Sequence, residues 1–165
     1  MKQNFYSIYI AAHNNAVELL NEAKLLYEKE HFSRAYFLGF TALEEIAKSQ
    51  LAADVYTGLL KEEEFFIKYD KHDRKIKNIV WAYLDANEFR DENGQLIIVS
   101  KPKINKRMLA LYVDFDKQGQ TILPQNSVRE KDAKEIIHIV KIVLHQIMVN
   151  TKYYGQQIGT KGFMK

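Results

Sequence analysis

Ser33 to Ala52 reads SRAYFLGFTALEEIAKSQLA. Tyr36, Phe40, Leu43, Ala47 and Leu51 recur there at spacings of three and four. That period places them on one stripe of an α-helix and rules out a strand, whose period is two. The helix is expected over residues 34–56. Ser33 is a good N-cap for it, and Gly58, after Thr57, can take the left-handed conformation that closes a helix.

Working outward, Phe5, Tyr9, Ala12, Ala16, Leu19, Ala23 and Leu26 make a second stripe of the same period. It predicts a helix from about Phe5 to Lys29, joined to the next by a short connection, so the two should be antiparallel neighbours. The acidic run 61–64 followed by Phe65, Phe66 and Ile67 suggests a short helix. Asp70 is placed to cap a third long helix over 71–87, with Ile76, Ile79, Val80 and Tyr83 as its apolar face. Residues 90–104 break the pattern and read as a surface loop. Residues 106–111 suggest a helical turn. Tyr112 to Phe115 and Thr121 to Leu123 flank Asp116-Lys117-Gln118-Gly119, a hairpin loop. Ser127 and Glu130 fit a capping box, which starts the last helix near Val128. That helix continues to about Lys152 through Ile136, Ile137, Val140, Val143, Leu144, Ile147 and Met148.

The fold class expected from this pattern is mainly α: a four-helix-bundle core with a small irregular, β-hairpin insertion before the last helix. One helical domain spans 1–154, and a flexible tail spans 155–165. The 165 residues are enough for one core. With no Cys, a disulfide scaffold, a thiolate zinc site and a cysteine nucleophile are excluded, and a cytoplasmic setting is compatible. No apolar run approaches the ~20 residues of a membrane span, and no signal peptide is seen; a membrane partner is therefore not expected. The net charge of +3, from 24 basic and 21 acidic residues, is too mild to argue nucleic-acid binding by itself. There is no Gly-rich phosphate loop and no metal-binding or nucleophile-elbow motif, so neither cofactor nor metal is expected. His138 and His145 share a face of the last helix, but two turns apart they are too distant to ligate one metal together.

The polar residues on apolar faces carry the functional question. At ~100° per residue, Glu44 falls between Phe37 and Leu51, beside Phe40, while Glu45 points nearly the other way. Lys48 follows Glu44 by four, the favourable order for a helix ion pair. Glu44 and Lys48 read either as an ordinary solvated pair or as a partly buried carboxylate held by a lysine, which then needs partners from another helix. His72 lies on the apolar stripe of the third long helix, with Lys75 beside it. It reads either as a structural histidine or as the partner of Glu44 or Glu45 across one groove. In the second case Glu44, Glu45, Lys48, His72 and Lys75 form a candidate catalytic cluster suited to acid–base chemistry or phosphate.

The same residues carry a family resemblance. Ser33 to Ala52 resembles the signature helix of the AbiV-type abortive infection proteins, an Arg-Ala start followed by Glu-Glu-Ile-Gly-Lys, with Ala47 at the Gly position. His72-Asp73-Arg74-Lys75 matches the family's His-x-x-Lys, and Leu111 to Pro124 resembles its Tyr-Val-Asp hairpin. The resemblance implies bacterial defence against phage and a HEPN-like helical fold, a superfamily that includes dimeric ribonuclease toxins. Those nucleases pair an Arg and a His four to six residues apart, and this chain has no such pair around His72. The resemblance therefore leaves two readings: a metal-independent RNA-cleaving effector using the cluster, or a non-catalytic module that binds a phage or host protein and in which the cluster is structural. It also implies a homodimer.

Overall fold

A computed structural model describes residues 2–69, 104–153, 157–158 and 162–163, with side chains over 4–69 and 106–145. Among these residues the architecture is mainly helical. α1 spans Lys2–Glu28 and α2 spans Phe32–Tyr56. They pack along their length as an antiparallel hairpin, because only a tight three-residue turn joins them. α3 follows at Glu62–Tyr69 and α4 at Ile104–Leu109. The antiparallel strands β1, Asp114–Phe115, and β2, Thr121–Ile122, pair Phe115 with Thr121. α5 is a single turn, Pro124–Ser127, and α6 runs from Glu130 to Tyr153. Within the segment expected to be a tail, β3, Gln157–Ile158, pairs antiparallel with β4, Gly162–Phe163. The third long helix expected over 71–87 lies outside the described residues, as does the loop to 103.

Both helices of the α1–α2 hairpin end in the same way. At the end of α2, Gly58 has φ +81°, its N–H donates to Val55 O, and Leu59 N donates to Asp54 O. That is the Schellman closure the sequence announces through Gly58. At the end of α1 the same two bonds form, Glu30 N to Tyr27 O and His31 N to Leu26 O, but the left-handed residue is Glu30, φ +61°. A β-carbon in that region costs about 1 kcal/mol, so the turn is held by the packing of α1 against α2. The reversal starts α2 at Phe32 with His31 as N-cap, two residues ahead of the expected start. Ser33 is therefore not a cap. It lies inside the first turn, and its Oγ donates to Pro124 O at 2.6 Å, tying α2 to α5.

The capping-box expectation is corrected as well. Ser127 ends α5, and its Oγ turns back to donate to Leu123 O at 3.0 Å. Arg129 instead precedes α6, and its N–H donates to Asp132 Oδ2 at 2.9 Å. The carboxylate three residues into the helix does the capping, where the helix dipole also favours a negative charge.

The main core lies where α1, α2 and α6 meet. Ala16, Leu20 and Ala23 of α1 bury against Ala35, Tyr36, Phe40, Leu43 and Ile46 of α2 and Ile136, Ile139, Val140 and Val143 of α6. Leu20 takes the fully buried place expected of Leu19, which is only partly covered. α2 and α6 approach closely at Gly39, where an added β-carbon would sit 2.8 Å from Ile136 Cγ2. Ile136 is β-branched and stiff on its helix, so Gly39 sets the spacing of the two axes. A second, smaller cluster joins Phe5 and Tyr9 to Leu51, Ala52, Ala53 and Phe65 at the far end of the hairpin. Phe5 meets Phe65 edge to face at 5.1 Å.

Candidate functional site

α2 presents Glu44 on the side that faces α4, one turn after Phe40. Glu44 is 5% exposed. Burying an ionised carboxylate is costly unless a cation meets it. That cation is Arg107 of α4, whose Nη2 lies 3.3 Å from Glu44 Oε2. The guanidinium also packs on two rings of α2, 5.2 Å from the centre of Phe37 and 5.7 Å from that of Phe40. Arg suits this place because its planar head is weakly hydrated and stacks on aromatic faces. Its Nε is buried without a hydrogen-bond partner among the described residues.

Lys106, the neighbouring residue of α4, turns the other way. Its Nζ meets Asp132 Oδ1 of α6 at 2.6 Å and lies 6.0 Å from the Tyr36 ring. Burial pushes the Asp132 carboxyl up. The hydrogen bonds from Lys106 and from the Arg129 N–H, together with both positive charges, outweigh that and hold it below the usual carboxylate range. Two consecutive cations thus fasten one short helix across α2 and α6.

Lys48 does not pair with Glu44. It forms an ion pair with Glu45, three residues before it on α2. Its ammonium lies 5.5 Å from the centre of the Tyr69 ring of α3. The expected i,i+4 pair is replaced because Glu44 is drawn into the Arg107 contact while Lys48 leans toward α3. Glu45 is more enclosed than its position opposite Glu44 suggested, with only 15% of its side chain exposed. The structure thus gives two ion pairs, Glu45 with Lys48 and Glu44 with Arg107, and Arg107 is the residue that the sequence reading lacks. His72 and Lys75 lie outside the described residues.

Arg107 had a signal in the sequence. Lys106-Arg107 stands between Ile104 and the apolar run Met108 to Leu111, and a cation in a short apolar segment is what a buried carboxylate elsewhere requires. The pairing itself could not be read, because Glu44 and Arg107 stand far apart in the chain.

Glu44 thus meets a guanidinium and Glu45 an ammonium, each through one carboxylate oxygen. No group of His, Asp and Glu among the described residues could hold a metal ion. No described helix is long and apolar enough to cross a membrane. A separate cavity of about 220 Å³ lies at the α1–α2 turn, lined by His31, Ser33, Arg34, Pro124 and Gln125 among others.

The family model HEPN_AbiV, described as AbiV, matches residues 6–145, which takes in α1 through most of α6. The matched region contains the hairpin, the α4 clamp and the polar cluster. The chain matches no curated protein and no solved structure.

Proposed function

The chain belongs to the AbiV family of HEPN-type helical proteins, and from that membership and the geometry above we propose that it is an abortive-infection effector that acts by binding. The family places the chain in abortive infection, the defence in which an infected bacterium stops growth before the phage matures. The finer reading rests on one observation: Glu44, the most buried carboxylate of the signature helix, is joined to Arg107 and enclosed by Phe37 and Phe40. In this reading the Glu-Glu-x-x-Lys segment is a lock that fixes α4, and with it the hairpin Asp114–Ile122, onto the bundle. The RNA-cleaving reading would instead have Glu44 or Glu45 orient a histidine as well as meet its cation.

The test separates stability from activity. Arg107→Gln leaves a buried carboxylate without its cation and should cost about 3 kcal/mol, read by urea denaturation. Replacing both partners, Glu44→Leu with Arg107→Leu, should recover much of that loss. Growth arrest in cells should follow the amount of folded protein in every variant, and purified protein should leave total RNA intact in EDTA. RNA cleavage under those conditions, abolished in His72→Ala with an unchanged melting curve, would overturn the proposal in favour of catalysis.

A further inference from the structure

The cavity of about 220 Å³ at the α1–α2 turn is used neither by the core nor by the polar lock. Phe32, Ala110, Leu111, Pro124 and Val128 give it an apolar wall. Glu30 and Arg34, both exposed, line it as well. Neither of these side chains has an ion-pair or hydrogen-bond partner among the described residues. Glu30 precedes Arg34 by four, the order that pairs two charges along a helix. The pair does not form because Glu30 is not on α2: it is the left-handed residue of the turn, φ +61°. At the matching place after α2 the chain has Gly58, which takes that conformation without strain. Residues held in disfavoured backbone conformations cluster at ligand clamps, and here such a residue brings a carboxylate to a cavity. The start of α2 adds donors. Its N-cap, His31, makes no side-chain bond to it, and the first N–H to find a helical acceptor is that of Ala35, on His31 O at 2.9 Å. Those of Phe32, Ser33 and Arg34 are left to partners outside the helix.

We propose that this cavity binds a free amino acid with an aliphatic side chain. The charges select a zwitterion. Glu30 and Arg34 balance, so the lining as a whole favours neither a lone anion nor a lone cation. A ligand that satisfies both brings an ammonium to Glu30 and a carboxylate to Arg34, whose planar guanidinium can meet a carboxylate through two bonds. The dipole of α2 adds to the pull on that carboxylate. The apolar wall selects the side chain. The buried Ser33 hydroxyl, which also lines the cavity, is taken by Pro124 O at 2.6 Å. The volume sets the size. Sites for drug-sized ligands occupy ~300–1,000 Å³, so about 220 Å³ takes one small amino acid and leaves no room for a nucleotide. Arg34 lies ten residues before Glu44 on α2, a distance of ~15 Å along the helix. The cavity is therefore separate from the polar lock, and its occupancy does not depend on what that lock does.

The experiment titrates the full chain with L-leucine by calorimetry and follows its thermal melt at millimolar ligand. Leucine should bind and raise the Tm by mass action. Glycine, a zwitterion without the side chain, should bind at least about tenfold more weakly. N-acetyl-L-leucine lacks the ammonium and L-leucinamide lacks the carboxylate. Each leaves one charge of the cavity unmet and should also bind at least about tenfold more weakly than leucine. Glu30→Gly should melt no lower than the parent without ligand, because glycine relieves the left-handed turn. It should nevertheless lose about tenfold in affinity for leucine, and with it the discrimination against N-acetyl-L-leucine. Arg34→Gln, at an exposed position, should lose about as much and no longer discriminate against L-leucinamide. The proposal is overturned if leucine does not bind, if glycine or either analogue binds as tightly as leucine, or if either variant keeps the parent's affinity.

Discussion

The two halves of α2 are built on different rules. From Ala35 to Leu43 its buried residues are apolar, and they meet α6 so closely that Gly39 is needed opposite Ile136. From Glu44 to Asp54 it still buries most of its residues, but Glu44, Ser49, Gln50 and Asp54 are now among them. In the first half, shape decides stability, because every atom is packed against another. In the second half the deciding quantity is whether each polar group finds a partner. Glu44 does, through Arg107. Ser49, fully enclosed, leaves its Oγ without a hydrogen bond among the described residues, and Gln50 leaves its Nε2 so.

Truncation by alanine should therefore give opposite signs on the two halves. Phe40 is fully buried between α1 and α6 and carries Arg107 on its ring. Phe40→Ala removes a large buried side chain and the support of the ion pair, and should cost about 3–5 kcal/mol in urea denaturation. Ser49→Ala removes an unsatisfied hydroxyl and improves helix propensity, so it should raise stability by about 1 kcal/mol. A Ser49→Ala variant that melts lower than the parent would show that the hydroxyl is in fact satisfied, and the contrast between the two halves would then fail.

The same contrast explains what could be read from the sequence. The apolar stripe, which runs through both halves, is legible: period alone places Tyr36, Phe40, Leu43, Ala47 and Leu51 on the core face, and all are buried. Gly58 was legible because only its backbone freedom was in question. Glu30 was not, because a left-handed glutamate has no propensity signal and is imposed by the packing of the helices on either side. Ser33 misled for a related reason. Its hydroxyl has the chemistry of a cap, but Pro124 O, 91 residues along the chain, offered it a better acceptor. At the candidate site, the angle of Glu44 on the helix leaves two readings, a solvated pair with Lys48 or a buried carboxylate that needs a partner from another helix, and the structure has it buried against Arg107. Which cation it would be depended on how α4 docks, and pairing between distant segments leaves no local trace in a sequence.

The smallest expected effect concerns a buried polar group on α1. His13 lies one turn after Tyr9, their ring centres 6.5 Å apart, and its Nδ1 is buried without a hydrogen bond among the described residues. Burial pushes its pKa below the ordinary histidine value, because the imidazolium loses hydration and gains no compensating acceptor. The sign of the consequence is fixed by proton linkage. As pH falls through about 6.5 the unfolded chain takes up a proton at this position while the folded chain resists it. The unfolded state then binds more protons, so stability declines as the pH falls, and His13 contributes nothing to the slope well above that range. His13→Gln keeps a polar side chain of similar reach but removes the titration. Thermal melts of parent and variant at pH 7.5 and pH 5.5 should show the parent losing more of its Tm than the variant on acidification. The other histidines are common to both proteins and cancel in the comparison. If parent and variant lose Tm equally, His13 is solvated enough to charge in place, and the burial of polar groups does not extend from α2 onto α1.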